Sequence, residues 1–557
     1  MHKHLMSRRR LLGSGAAAIA GAALESPFAF AGIQQNTGGA AATDELVLVN
    51  GRIHTMDRNN SVVGTVTMRN GRFVAVGGAN PRAATGRRII DLKGRTAIPG
   101  IIDNHNHIVL MGNRPGYHTP LENAASIANV QEILAARAKG IPRGAWITTI
   151  GGFHRNQLVP PGDAPRLPTL AELDKAAPNN PVYLSEGFTG PSATNTLGRE
   201  FFQRQTPPIP VGADGAIAGG AAATGRATLS LRQTLLNFEE RKRGAIDAMT
   251  YGLSLGVTTH LDEGAFQAAN TPDDGAAHED NYTMHLPFLA LHADKKLPAR
   301  LRINFLEQDT TPDVPTLTER LKNSYKFFGD DMVRTGAIGE FIAGFGANNA
   351  TFVEAARRVA KAGWRAEVHS LSANDFQQEI QGFEAAHAEF PITNLRWVIA
   401  HVPFITEPWV NRLKALGGGL SLTSWRYLAG TPEQNGPPFR MIVDNGIHVG
   451  MSSDGMQIAP MNPWLHMYYA TTGLNARQMP INANQKITRQ EVLKLYTANN
   501  GWFLREEEQI GTIEPGRLAD LVVLSDDYFT VPDESLKKVR SILTVVAGNV
   551  AYNAGVL

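Results

Sequence analysis

The chain contains no cysteine. That excludes disulfides, thiolate metal sites, iron–sulfur clusters and cysteine nucleophiles. A long apolar run is also missing. Leu11–Leu24 holds about 14 residues, short of the roughly 20 that cross a bilayer as a helix. Charge of one sign is scarce too, with 53 Lys and Arg against 51 Asp and Glu. Lys3, Arg8, Arg9 and Arg10 face only Glu25 within residues 1–31, so the remainder is nearly neutral. No overall basic surplus favours nucleic acid or anionic lipid as a partner. Hydrophobic residues make up 43% and charged residues 19% of 557. This is ordinary for a globular protein with a real core and excludes a disordered or fibrous chain. The length accommodates several domains, or one large α/β barrel with a side domain.

The N-terminus has the layout of an export signal. Met1–Arg10 is polar and basic, Leu11–Leu24 is Ala- and Gly-rich, and Ala29-Phe30-Ala31 has the small-x-small form of a cleavage site. Ser7-Arg8-Arg9-Arg10-Leu11-Leu12 resembles a twin-arginine signal, whose pathway exports folded proteins. Residues 1–31 are therefore expected to be a signal peptide and the mature chain periplasmic or secreted.

Residues 44–97 and 510–557 have the texture of short strands and tight turns, suggesting one small β domain made by both termini. Asn50-Gly51 and Asn70-Gly71 each lie between β-formers, a hairpin signal. From 98 to 509, strand candidates alternate with helical stretches such as Thr351–Ala362 and Asn374–Glu389. Eight strands are expected near 98–103, 256–262, 300–306, 334–341, 364–370, 395–402, 419–424 and 447–453. Repeated βα units favour a (β/α)8 barrel. The long gap 110–250 reads as an insertion covering the barrel mouth, with a flexible Gly/Ala segment at Pro207–Thr224.

The chemistry falls at the strand ends, where barrel active sites lie. His105 and His107 end the first strand at positions i and i+2, on one face. His369, His401 and Asp454 each end or follow a later strand. Imidazoles and carboxylates suit a divalent cation such as zinc. His260 and Glu263 end the second strand and are candidates to line the pocket or to orient a ligand. Trp425, Arg426, His118 and His154 are candidate substrate contacts; His278, His285, His292, His387 and His466 read as ordinary surface or packing residues.

These residues carry a resemblance to the amidohydrolase superfamily of metal-dependent hydrolases. Pro99-Gly100-Ile101-Ile102-Asp103-Asn104-His105-Asn106-His107 resembles its strand-one motif, and His369, His401 and Asp454 its later ones. Gly511–Leu524 resembles the family's return into its sheet domain, and Thr169–Asp174 with Asn180–Leu184 resembles the YtcJ-like branch, which includes N-substituted formamide deformylases. Two departures stand out. The fourth strand, Arg334–Phe341, lacks the carboxylated lysine that bridges two metals in many members. Glu340 bridges instead, or makes a structural ion pair beside a single metal. The segment Glu186–Asn195 keeps the branch's asparagine, Asn195, but lacks its histidine.

The resemblance implies one or two divalent ions, most plausibly zinc, on His105, His107, His369, His401 and Asp454. It implies hydrolysis of a non-peptide carbon–nitrogen bond of a small molecule by activated water, with Asp454 as proton carrier. A metal-dependent esterase, lactonase or deaminase is the enzymatic alternative, because fold does not choose among these. An exported binding protein with a vestigial site is the remote one. A homo-oligomer is compatible with the sequence.

Export is testable directly. Changing Arg8 and Arg9 together to lysine should hold the chain in the cytoplasm, and the exported wild type should begin near Gly32. Normal export of the double variant, followed by cell fractionation, would discard the twin-arginine reading.

Overall fold

The structure, a computed structural model, describes residues 45–78, 86–160, 162–264, 282–344, 349–456 and 458–557. The signal-like segment 1–31 and His278 lie outside them. No helix among the described residues is long and apolar enough to cross a membrane.

Eight parallel strands organise the chain: β1 Ile101–Asn106, β2 Val257–Asp262, β3 Arg300–Phe305, β4 Val333–Ile338, β5 Glu367–Ser370, β6 Val398–His401, β7 Gly419–Thr423 and β8 His448–Ser452. All eight overlap the stretches expected from the sequence. They form two four-stranded sheets, ordered β4-β3-β2-β1 and β5-β6-β7-β8. A parallel bridge, Ile338 to Ala366, joins β4 to the start of β5. At the other junction Asp454 N donates to His105 O at 2.9 Å and His107 N to Gly455 O at 2.7 Å. Asn500 pins the same junction, donating to Ile102 O at 2.6 Å and to Met451 O at 2.8 Å. Most strand residues are buried on both faces, as parallel strands under helices require.

The intervening helices start and pack as their sequences dictate. Asn349–Lys361 buries Phe352, Ala356 and Val359 along one stripe. Ala373–Glu389 begins at a capping box, in which Ser372 accepts from Asp375 N and the Asp375 carboxylate accepts in return from Ser372 N. Its Phe376, Ile380 and Phe383 join Trp364 and Trp397 in the largest apolar core.

Two further sheets use both ends of the chain. One runs Arg72–Val76, Val66–Arg69, Glu45–Val49, Arg87–Asp91. The other runs Asn549–Asn553, Ser541–Val546, Leu521–Leu524, Thr96–Pro99, Arg52–His54, Val62–Val63. They share one core containing Leu48, Met68, Phe73, Leu521 and Val545.

Two expectations need correction. Asn70-Gly71 closes a true hairpin, with φ of 52° and 76° and Arg69 paired to Arg72. Asn50-Gly51 does not: the strands it joins belong to different sheets, so this turn is a corner. Pro207–Thr224 is not a free Gly/Ala segment. Ala193 bridges Ala216 and Val211 bridges Ile217. Gly219 and Gly220, at φ 102° and 64°, then turn the chain into the helix Gly220–Leu235. That helix packs Ala223, Ala227 and Leu231 against Tyr183 and Phe202.

Buried ion pairs tie the parallel strands to the C-terminal segment. Arg300 grips Asp520 through Nε at 2.6 Å and Nη2 at 2.8 Å, and Arg302 grips Glu506 likewise at 2.6 and 2.9 Å. Asp520→Ala strands a fully buried guanidinium and should cost about 3–5 kcal/mol. Glu319→Ala, which breaks the exposed pair with Lys322, should leave the denaturant midpoint almost unmoved, because solvent screens such a pair. Denaturant midpoints measure both; equal losses would refute the assignment of Arg300–Asp520 as a structural tie.

Candidate active site

Strand parity delivers the first two histidines. From β1 and its immediate extension, His105 and His107 project to one side with ring centroids 5.9 Å apart at 90°. His401, at the end of β6, lies 4.8 Å from the His105 ring, and His369 of β5 lies 4.6 Å from that of His401. The carboxylate of Glu340, two residues beyond β4, sits among all four. Its Oε1 meets His369 Nδ1 in a short hydrogen bond, His401 Nε2 at 3.0 Å and His105 Nε2 at 3.7 Å. Its Oε2 is 3.4 Å from His107 Nε2. Asp454, beyond β8, places Oδ1 3.3 Å from His107 Nε2 and 3.9 Å from His105 Nε2. The six residues expected from the sequence to ligate metal therefore form one cluster.

The histidine rings are held from behind. His105 Nδ1 donates to Glu367 at 2.8 Å, His107 Nδ1 to the Gly264 carbonyl at 3.1 Å, and His401 Nδ1 is bonded to Thr423 Oγ1 at 3.1 Å. Such contacts fix the tautomer and turn each Nε2 lone pair toward the centre. Asp454 is set by its neighbours. Ser453 donates to Asp103 through N at 2.9 Å and Oγ at 2.5 Å, crossing from the β8 end to β1. His401, Val402 and Asp454 have φ of 70°, 41° and 56°. Left-handed backbone at such residues costs on the order of 1–3 kcal/mol each, strain of the kind that collects at functional sites.

Buried carboxylates and imidazoles are concentrated at one point. Glu340, Glu367, Glu263 and Asp454 are all buried. Burial alone would lower the His105 pKa, but Glu367 at its Nδ1, with Glu263 and Glu340 nearby, pushes it up to about 10. His107 is driven well up by Asp454 and Glu340 against the same opposition. Glu340 is held well below the usual carboxylate range, burial being overcome by the histidines around it. Two polar atoms facing this centre, His105 Nε2 and Glu340 Oε2, are buried without a hydrogen-bond partner. His105, His107 and Asp454, and likewise His105, Glu340 and His401, each bring ligand atoms within 4.8 Å of one another. Imidazole and carboxylate donors so placed fit a divalent metal ion.

Other expected residues fall elsewhere. His260 shares strand parity with Asp262, not with Glu263, and so faces outward. Its Nδ1 contacts Asn106 Nδ2 at 3.0 Å, and its Nε2 abuts Gly252, where an added Cβ would come within 3.1 Å. It does not line the pocket. Glu263 does point inward, but toward the Nδ1 edge of His105, at 3.9 Å, away from Asp454. There it accepts both Asn304 contacts, at 2.8 and 2.9 Å, so it supports the site from below rather than meeting substrate. Trp425 and Arg426 lie just beyond β7, with the guanidinium 4.1 Å over the indole. His154 caps a short turn through Asn156 N and faces Glu186 at 3.7 Å. His118 is buried between Arg114 and Arg137, which with burial hold its pKa well down. Asn195, the retained branch residue, caps the helix Thr196–Gln203 and receives Val182 N at 3.0 Å. His285 is buried on Asp262 at 2.8 Å, and His466 is buried between Ser424 N and Pro460 O.

Glu367 and its partner Arg365 were not singled out from the sequence. The signal was present: Arg365, Glu367 and His369 alternate along one strand, and a charged pair in step with a candidate ligand belongs to the same face.

Known proteins share the sequence pattern and the fold. Residues 88–552 match the amidohydrolase family. An N-substituted formamide deformylase from Arthrobacter pascens is 24% identical over 552 residues, covering 91% of this chain and 98% of its own. The putative amidohydrolase YtcJ of Bacillus subtilis is 22% identical over 510 residues, covering 83% and 90%. Among solved structures, an uncharacterized metal-dependent hydrolase from Pyrococcus horikoshii superposes with a TM-score of 0.57 at 17% identity, over 88% of this chain and 99% of that one. The zinc complex of atrazine chlorohydrolase TrzN from Arthrobacter aurescens TC1 gives 0.53 at 15% identity, over 91% and 95%. With nearly the whole described chain matched, this protein belongs to the amidohydrolase family and is a hydrolase acting on carbon–nitrogen bonds.

Proposed function

We propose that this enzyme hydrolyses a non-peptide C–N bond of a small molecule, an amide, formamide or carbamate-like group, at a two-cation centre. The eight parallel strands are read as a closed (β/α)8 barrel over residues 98–509, with the insertion 110–250 after β1. Residues 44–97 and 510–557 are read as a small β sandwich, and residues 1–31 as an export signal leading to the periplasm or beyond.

The observation that carries the reading is the Glu340 carboxylate, which touches four histidines with two oxygens. A carboxylate with one oxygen toward His369 and His401 and the other toward His107 can bridge two ions. His105, His107 and Asp454 would hold one cation, and Glu340 and His401, with the His369 ring beside them, would hold a second. Zinc is the ion this donor set suits. A cation bound there polarises a carbonyl and brings the pKa of a water molecule to about 7.

The chain's own groups do the remainder. Asp454 is kept ionised by His401 and His107, which outweigh its burial. Its carboxylate takes a proton from water as the oxygen attacks the carbonyl carbon. It returns that proton to the departing nitrogen as the C–N bond breaks, so one water is consumed and one acid and one amine are released. Glu367 keeps His105 in the tautomer that faces the centre.

Metal analysis of purified enzyme should find about two divalent ions per chain, as a bridged centre requires. Glu340→Gln should release about half of that metal, because an amide is a poor bridging ligand. Unchanged metal and near-normal turnover would leave a single-ion site without Glu340. Asp454→Asn should fold and keep most metal, while turnover of a formamide or amide panel falls by roughly 10² or more. A metal-replete Asp454→Asn enzyme within a few-fold of wild type would remove Asp454 as the proton carrier.

A further inference from the structure

Arg426 differs from three other buried arginines. Arg300, Arg302 and Arg365 are almost wholly buried, and each is paired with a carboxylate: Asp520 and Glu506 at 2.6 Å and Glu367 in a short contact. Arg426 is only 8% exposed, yet no carboxylate among the described residues pairs with it. Its Nη1 reaches Gln434 Oε1 at 3.4 Å, the limit of a hydrogen bond, and its Nε is buried without a partner. Burial pulls its pKa down, and only the Tyr469 phenol opposes that. A buried guanidinium without counter-charge is costly, and it gains most from a ligand that supplies one.

Its place gives the ligand's identity. The guanidinium lies 4.1 Å from the Trp425 ring centroid and 5.4 Å from that of Phe404. Phe404 comes three residues after His401, and Trp425 two residues after Thr423, the residue bonded to His401 Nδ1. Both rings thus stand in the loops immediately beyond β6 and β7, at the end of the strands that carries the histidine–carboxylate cluster. The insertion reaches the same loop, where Asn156 Nδ2 donates to Leu428 O at 3.2 Å. Two aromatic rings beside the guanidinium are a setting that suits its fork of donors to a planar, bidentate acceptor.

We propose that Arg426 is a specificity-determining residue that binds a carboxylate on the substrate, so that the preferred substrates are N-acyl compounds carrying a carboxylate near the scissile bond. This rests on the reading of the centre as a C–N hydrolase. Charge-assisted, bidentate hydrogen bonds are the strong kind, and their loss should read as about ten- to a hundredfold in selectivity.

The test uses zinc-loaded enzyme and two formamides that differ only by a carboxylate, N-formylphenylalanine and N-formyl-2-phenylethylamine. Wild type should favour the first by at least about tenfold in kcat/KM, chiefly through KM. Arg426→Gln should collapse that ratio toward one, and Arg426→Lys should restore part of it, having the charge but not the fork. Calorimetry with N-acetylphenylalanine as the probe should show the same loss of affinity in Arg426→Gln. Equal handling of both formamides by wild type, or an unchanged ratio and unchanged affinity in Arg426→Gln, would overturn the proposal. If Arg426→Gln fails to fold by circular dichroism, the wild-type ratio and probe binding decide alone. If neither formamide is cleaved but probe binding depends on Arg426, the carboxylate site stands and the assigned reaction fails.

Discussion

The contact on which this structure depends is that between one buried carboxylate, Glu340, and four imidazoles. A carboxylate cannot be taken from water without compensation. Here the compensation comes from His105, His107, His369 and His401, delivered by three separate strands. Asp454 and Glu367 add further buried negative charge, whereas burial and the neighbouring Glu367 push the Glu263 carboxyl up toward its neutral form. The histidines answer by rising in pKa at His105 and His107. A divalent cation answers the same deficit without protons, and the inward Nε2 of His105 and Oε2 of Glu340 are the atoms left for it.

Everything beneath that centre keeps it in register. Parity along β5 and the residues just before it aligns Arg365, Glu367 and His369, so that one segment supplies a ligand, the group that orients a ligand on β1, and the counter-charge of that group. Asn304 of β3 holds Glu263 on the same layer. The β1–β8 junction is closed by Asp103 with Ser453 and by Asn500 with Ile102 and Met451. That junction brings Asp454 beside His107 although the two are far apart in sequence. The left-handed backbone at His401 and Asp454 is the local cost of aiming both side chains at one point.

Much of this was legible in the sequence because it rests on short-range rules. Buried parallel strands are continuous apolar runs, and polar residues at their C-terminal ends stand out against them. The six clustered residues were found that way or through family resemblance. What escaped depends on facing direction or on partners distant in the chain. His260 ends a strand just as His105 does, but its parity turns it toward the helix Phe238–Leu255. Asn50-Gly51 has hairpin chemistry, yet the strands it joins find different partners. Pro207–Thr224 reads as loose because its Gly and Ala residues say nothing about Tyr183 and Phe202, which pack against the helix it starts. The pairing of Glu367 with His105 spans 262 residues, and no local pattern encodes it.

The most direct measurement is anomalous X-ray scattering at the zinc edge from crystals of the wild-type enzyme grown with zinc. The account predicts two peaks flanking the Glu340 carboxylate, one near His105, His107 and Asp454 and the other near His369 and His401. A single peak with Glu340 uninvolved, or no peak within this cluster while zinc binds elsewhere, would contradict it.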